Sequence, residues 1–479
     1  MPLRRPAAPR PQLTHRQINR LLPFTGAPLF HTLQLLATGD SARFHMPGHK
    51  GAPLFSTYAE IFAIDFTETY GTGNLYLGDG PIREAEVAAA RYFSAEDCFF
   101  LTGGSTQGIL SMLATAVGQG GSVLLDRECH KSVCHACALL DITPYFVAAP
   151  LLEPFAVSGA LPQDEIERQF AAHPEIRALL VTTPTYYGIR RSVPTLADLC
   201  HTHGKALLVD SAHGAHFPAV GLPAPVREGA DLAVLSIHKT LPCMGQGAVI
   251  LAAAGTDKQA LRENTALFGT SSPSYPIMAS IDLARAYTEG PGREAYRRAA
   301  AECGQMRQFI RTHTVFTPLT LEDWPALDPC RLTVCTAGTD VTGHRLADML
   351  WSEYGVACEM ADERNIVCIV TGSDTNSAMR RLRRGLRRLS DRRQPAAPPI
   401  PATAFPPAER VMSVRQAWFS KNGRVSPAAA EGLICARPVT PYPPGVPLLW
   451  PGEKITRAHI ELIRERWYNE IDEITVVIP

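Results

Sequence analysis

Two neighbouring stretches decide the fold: GKALLVDSAHGAH, residues 204–216, and DLAVLSIHKT, residues 231–240. In the first, Ala206–Val209 is a short unbroken apolar run that ends on Asp210. In the second, Leu232–Ser236 is another such run, and it leads directly into His238, Lys239 and Thr240. Runs this short and this continuously apolar read as strands buried on both faces, the signature of a parallel sheet covered by helices. Ligands of an open α/β sheet bind at the carboxyl ends of its strands. One strand end therefore delivers a carboxylate and another a lysine amine, flanked by Ser236 and His238.

Further runs of the same kind lie at Cys98–Leu101, Ser122–Leu125, Ala178–Val181 and Ala248–Ala252, separated by helical stretches between about Phe44 and Tyr287. The alternation predicts an α/β fold with a mostly parallel sheet and helices on both faces. A helical stretch, Arg293–Thr312, leads into a smaller α/β region with strands at Arg331–Cys335 and Ile366–Thr371. Its last helix carries Met379, Leu382, Leu386 and Leu389 on one face and Arg380, Arg381, Arg383, Arg384, Arg387 and Arg388 on the other. The pattern is that of a solvated amphipathic helix. The resulting division is an N-terminal arm over 1–35 with a short helix at Thr14–Leu22, a large domain over 36–290, a small α/β domain over 291–391, a Pro-rich linker over 392–410 and a C-terminal α+β domain over 411–479. The last of these holds the turn TPYPPGVPLLWPGE, residues 440–453, and a final helix near Ile455–Tyr468.

Composition narrows the function. The 479 residues include 46 basic and 46 acidic side chains, so no basic surplus marks a nucleic-acid binder. No apolar run approaches the ~18–20 residues of a membrane helix, and the basic N-terminus has no apolar stretch behind it to make a secretory signal. Twelve scattered cysteines fit a reducing cytoplasm. Cys134 and Cys137 form a CxxC with no second pair to complete a zinc quartet, so they read as buried thiols on a helix and no metal is expected. Only seven basic residues are lysines, and Lys239 alone combines a strand end with hydroxyl and imidazole neighbours.

An aldehyde cofactor with a pyridinium nitrogen and a phosphate needs the groups these strand ends supply. Pyridoxal 5′-phosphate requires a lysine for its Schiff base and a carboxylate to keep its ring nitrogen protonated. A phosphate cradle stands upstream in CFFLTGGSTQGILSML, residues 98–113, where a strand ends at Leu101, a Gly/Ser/Thr turn follows and a helix begins near Gln107. Glycines admit close backbone approach, and a helix N-terminus favours an anion. His130, after the next strand in LLDRECHKSV, is placed to stack on a cofactor ring.

The set FHMPGHKG (44–51), GGSTQG (103–108), RECHKS (127–132), TTPTYYG (182–188), DSAHGAH (210–216), SIHKT (236–240), LFGTSSPSYP (267–276) and TPYPPGVPLLWPGE resembles the ornithine/lysine/arginine decarboxylase family, in its shorter bacterial form without a receiver-like domain. The resemblance spans nearly the whole chain. It implies an aspartate-aminotransferase (type I) fold with a seven-stranded sheet and a homodimer or higher assembly with shared sites. It also implies a cytoplasmic lyase of amino-acid metabolism and polyamine biosynthesis. Lys239 would be the Schiff-base lysine, Asp210 the partner of the pyridine nitrogen, and His130 the stacking residue, with His213 beside the cofactor. Gly104, Ser105, Thr106, Ser236 and His238 would bind the phosphate. Thr270 and Ser271 would reach the neighbouring subunit's phosphate, and His49 and Lys50 would sit near the substrate entrance. His130, Lys239 itself or a residue outside these motifs would protonate the substrate's α-carbon.

Two stretches depart from the family pattern. After Thr67 and Glu68, a loop that commonly carries acids and a histidine reads Gly71-Thr72-Gly73-Asn74-Leu75-Tyr76. Before the Pro-rich turn, Arg437 stands where a glutamate is common. A site for a cationic side chain needs a carboxylate, and an arginine in that pocket would repel it. Three readings stay open: a basic amino-acid decarboxylase with Arg437 peripheral or compensated by Glu431; the same cofactor with an altered substrate; or an altered reaction such as transamination, elimination or oxygen-using oxidation, with Arg437 holding a substrate carboxylate.

Overall fold

Successive residues of each central strand face opposite sides, and both sides are apolar, so one sheet organises two cores. The computed structural model describes residues 26–39, 42–396, 405–406, 408–440, 445–466 and 471–478. The expected Thr14–Leu22 helix, much of the Pro-rich linker and 441–444 of the turn lie outside the described residues. The sheet comprises β1 (Asp97–Leu101), β2 (Ser122–Asp126), β3 (Thr143–Val147), β4 (Ile176–Thr182), β5 (Ala206–Asp210), β6 (Leu232–Leu235) and β7 (Ala248–Ala252), in the order β1-β7-β6-β5-β4-β2-β3. Only β7 runs against its neighbours. Leu179, Val181, Leu207 and Val209 enter one core and Ala178, Leu180 and Leu208 the other, which is why these strands read as unbroken apolar runs.

Helices cover both faces. α1 (Gly104–Ala116) and α2 (Lys131–Leu140) pack into the second core, and α3 (Val193–Thr202) into the first. The single turn α4 (Ile237–Thr240) continues β6 and carries Lys239, and α5 (Tyr275–Glu289) packs into the first core. The expected mostly parallel, seven-stranded α/β architecture is present. One strand escaped the sequence reading: β3, TPYFV, contains Pro144. Proline cannot donate to a central ladder, but β3 is an edge strand paired only with β2, where it is tolerated.

A second, antiparallel sheet holds β8 (Thr317–Pro318), β9 (Arg331–Cys335), β10 (Met360–Ala361) and β11 (Asn365–Ile369) in the order β8-β9-β11-β10. It shares a core with α6 (Gly292–His313), α7 (Gly343–Tyr354) and α8 (Asn376–Ser390). Leu382, Leu386 and Leu389 of α8 are buried there, and its six arginines are exposed. Toward the C-terminus, β12 (Asn422–Val425) pairs with β13 (Ile474–Val477) beside α9 (Arg457–Arg466). Arg127 ties this segment to the main sheet by donating to the carbonyls of Pro447 and Leu448, both at 2.8 Å. No described helix is long and apolar enough to cross a membrane.

Two glycines test the packing in opposite directions. At Gly108 in α1, a Cβ would lie 2.5 Å from Val234 Cγ2 and 2.9 Å from Leu101 Cδ1, so glycine is what lets the helix approach the sheet. Gly108→Val is expected to lower stability by roughly 1–3 kcal/mol through overpacking. Gly304 is exposed in α6, and nothing lies within 4 Å of the place a Cβ would take. Gly304→Ala is expected to raise stability by about 0.5–1 kcal/mol. Thermal unfolding midpoints of the two variants should shift in opposite directions.

Candidate active site

The carboxyl ends of β2, β4, β5 and β6 open into one cavity of about 360 Å³, into which Asp126, Thr182, Asp210 and Ser236 project. Gly104, Ser105, Thr106, His130, His213, His238 and Lys239 line the same cavity. At its floor, Gly104 adopts φ +70°, a left-handed conformation that glycine takes without strain, and starts α1 with no acidic residue in the first turn. The hydroxyls of Ser105 and Ser236 meet at 2.5 Å from two different strand ends. His238 is oriented by a 2.9 Å contact from Nδ1 to the Gly247 carbonyl. Converging hydroxyls at a helix N-terminus free of acids suit a phosphate.

The opposite wall is electrostatic. Asp210 is buried; the Ala212 N–H donates to its Oδ1 at 3.0 Å, and Oδ2 accepts no hydrogen bond among the described residues. Burial raises its carboxyl above the usual range, while Lys239 and the Ala212 N–H pull it back. A cationic ring nitrogen at Oδ2 would complete that restraint. Lys239 Nζ lies 3.2 Å from His213 Nε2, and His213 Nδ1 lies 3.1 Å from Arg331 Nη2. Arginine only donates, so Nδ1 must accept and the imidazole proton sits on Nε2. That N–H points at the lysine nitrogen, which can accept it only as a neutral amine. Burial lowers the Lys239 pKa, Asp210 opposes the shift, and Arg331 adds to it. Burial also takes His213 well below its ordinary value, with the Lys239 and Arg331 charges reinforcing it.

Behind Arg331, Asp328 lies 2.9 Å from His216 Nε2 and 3.9 Å from Arg331 Nε. Burial pushes Asp328 up, but His216, Arg331 and the Cys330 N–H outweigh it and hold the carboxylate ionised. His130 caps α2: its Nδ1 accepts from the Ser132 N–H at 3.2 Å. Burial, then the Lys239 and Lys131 charges, push His130 down to about 4, so it presents a neutral ring.

The other expected site residues lie elsewhere. His49 stacks on Phe62 at 4.2 Å and contacts Asp65 at 3.2 Å; Lys50 is exposed, and its Nζ donates to the His45 carbonyl. Neither lines the cavity. Thr270 and Ser271 are exposed and outside it too. Arg437 lies 4.7 Å over the Trp418 ring and donates to the carbonyls of Trp418 and Ala436, also away from the cavity. Gly73 adopts φ +75°, where a Cβ would meet the Asp79 carbonyl at 2.6 Å. Sequence reasoning missed Arg331, Tyr186, Glu128 and Glu359. A charged residue heading the apolar strand RLTVC was the one available signal for Arg331; Glu359, in ACEMADE, had none.

Comparison with known proteins places the family and the fold. Residues 27–320 match the family described as Orn/Lys/Arg decarboxylase, major domain, and residues 401–467 match its C-terminal domain. An arginine decarboxylase of Halalkalibacterium halodurans is 30% identical over 466 residues, covering 91% of this chain and 93% of that protein. The lysine decarboxylase LdcF of Francisella novicida superposes with a TM-score of 0.80 at 19% identity, covering 97% of this chain and 83% of that one. A solved structure of SPT with PLP shares the fold over 65% of this chain and 76% of its own, with a TM-score of 0.52 at 16% identity.

The buried imidazoles have a measurable consequence. Below pH 6.5, the ordinary histidine value, the unfolded chain gains protons that folded His130 and His213 do not hold. Acid therefore favours unfolding, by up to about 1.4 kcal/mol per pH unit for each histidine. Between pH 7 and 5 the unfolding midpoint of ligand-free protein is expected to fall, and less steeply in His213→Asn. Identical slopes for variant and parent would contradict the assignment.

Proposed function

The chain belongs to the Orn/Lys/Arg decarboxylase family, and we propose that it removes the α-carboxylate of arginine, lysine or ornithine using pyridoxal 5′-phosphate held at Lys239. The observation that carries this reading is the convergence in one cavity of a lysine amine in contact with an imidazole, a buried carboxylate and paired hydroxyls at a helix N-terminus. Bound there, the cofactor supplies the electron sink for the pair released when carbon dioxide departs.

Each residue then has a physical task. Gly104, Ser105, Thr106, Ser236 and His238 hold the phosphate. Asp210 keeps a proton on the ring nitrogen, and His130 offers the ring an apolar, uncharged face. Lys239 provides the amine that takes the aldehyde carbon, and His213 keeps its lone pair available. Lys239 Nζ and His130 both stand in the cavity from which a proton must return to the substrate's α-carbon. His130, held near 4, carries no readily released acidic proton at neutral pH. Thr270 and Ser271, exposed in the single chain, are assigned to a neighbouring subunit's phosphate. The altered-reaction reading drew on Arg437, and its engagement by Trp418 leaves that reading without an observation at the cavity.

Purified protein should absorb visible light, and borohydride should fix the cofactor to the peptide containing Lys239. Arginine, lysine or ornithine should yield carbon dioxide and the matching amine in equal amounts. Lys239→Ala should lose the label and reduce turnover by several orders of magnitude. Label on another lysine, or ammonia without carbon dioxide, would contradict the proposal.

A further inference from the structure

A basic amino acid whose α-amine reaches Lys239 still needs a carboxylate for its distal cation. The two places where the family pattern leads one to expect such an acid hold Gly73, which has no side chain, and Arg437, which stacks on Trp418. Four carboxylates line the cavity among the described residues: Asp126, Glu128, Asp210 and Glu359. Asp210 is committed to the cofactor. Asp126 is buried in an ion pair with Arg191 and also accepts the Glu128 N–H at 3.2 Å. Burial, then the Asp126 charge beside it, raise the Glu128 carboxyl above its ordinary value and make it the less favourable partner for a cation.

Glu359 differs from all three. It is exposed, and its carboxylate has no cationic partner within ion-pair distance among the described residues; it accepts one hydrogen bond, from the Tyr186 hydroxyl at 2.6 Å. Its backbone is fixed at the sheet edge, where the Glu359 N–H donates to the Val367 carbonyl at 2.9 Å. Glu359 and Lys239 line the same cavity. Tyr186 in turn packs edge-on against His213, with ring centroids 4.8 Å apart. The neighbouring Tyr187 hydroxyl reaches Asp362 at 2.7 Å, so the tyrosine pair of TTPTYYG spans from the main sheet to the edge of the second sheet.

We propose that Glu359, oriented by Tyr186, receives the distal ammonium or guanidinium of the substrate and sets the enzyme's preference for cationic side chains. The proposal rests on the reading of Lys239 as the cofactor lysine. A carboxylate held on one side by a hydroxyl keeps acceptor sites for a charged donor, and charge-assisted hydrogen bonds of this kind give strong discrimination. The second sheet would thereby read the substrate while the main sheet performs the chemistry.

The test compares Glu359→Gln, Glu359→Asp, Tyr186→Phe and Glu128→Gln with the parent holoenzyme, using arginine, lysine, ornithine and citrulline, the neutral isostere of arginine. Visible absorbance and borohydride labelling at Lys239 report separately on the cofactor reading. Glu359→Gln should keep both signatures and raise KM for the best basic substrate by roughly 10- to 100-fold, with a much smaller change in kcat. Its preference for arginine over citrulline should collapse, Glu359→Asp should recover part of it, and Tyr186→Phe should fall between. Unchanged KM and selectivity in Glu359→Gln, with cofactor still bound, would overturn the proposal and leave the cofactor reading intact. The same holds if Glu128→Gln alone shows the KM effect. Parent protein that takes up no cofactor at Lys239 would overturn both.

Discussion

The contact between His213 and Lys239 is the interaction on which the site depends. A lysine nitrogen attacks an aldehyde only while its lone pair is free. Arg331 saturates one imidazole nitrogen of His213, which fixes the proton on the other, and that proton faces Nζ at 3.2 Å. The lysine is thereby favoured in its reactive form. Arginine suits this task because its guanidinium stays protonated at any working pH. Burying it is costly, and Asp328 and His216 behind it offset part of that cost. The device joins both sheets: Lys239 and His213 follow strands of the large one, and Arg331 begins β9 of the small one.

That junction explains why a protein of this size is needed for so small a reaction centre. The large sheet brings the proposed phosphate cradle and Asp210, the proposed ring partner, to its strand ends. The second sheet contributes the cation that tunes Lys239 and the carboxylate of Glu359. The C-terminal segment closes a third side: Val446 lines the cavity, the Lys131 N–H donates to the Gly445 carbonyl at 3.0 Å, and Arg127 holds the carbonyls of Pro447 and Leu448. Trp450 is buried against Phe146, with ring centroids 4.9 Å apart, and anchors that segment beside β3.

What the sequence disclosed follows from how its signals are stored. Strands buried on both faces write themselves as apolar runs, so six of the seven main strands, with Asp210 and Lys239 at their ends, were legible. β3 was hidden because Pro144 obeys edge-strand rules that only the assembled sheet reveals. Residues that line the cavity from within a local motif, such as Ser105, His130 and His238, were equally plain. Arg331 and Glu359 were not, because Arg331 reaches His213, and Glu359 the cavity, only through packing of the second sheet on the first. Arg437 shows the converse: its identity was conspicuous in the sequence, yet its partner Trp418 is 19 residues away and no local pattern announces that contact.

The most direct test is the pH dependence of the rate at which cofactor-free protein captures pyridoxal 5′-phosphate on Lys239. The account predicts a half-maximal rate below pH 10.5, the ordinary lysine value. It also predicts that Arg331→Gln moves the midpoint upward, because both the repelling charge and the fixed imidazole tautomer are lost. A midpoint at the ordinary value in the parent protein, or one indifferent to Arg331, would contradict it.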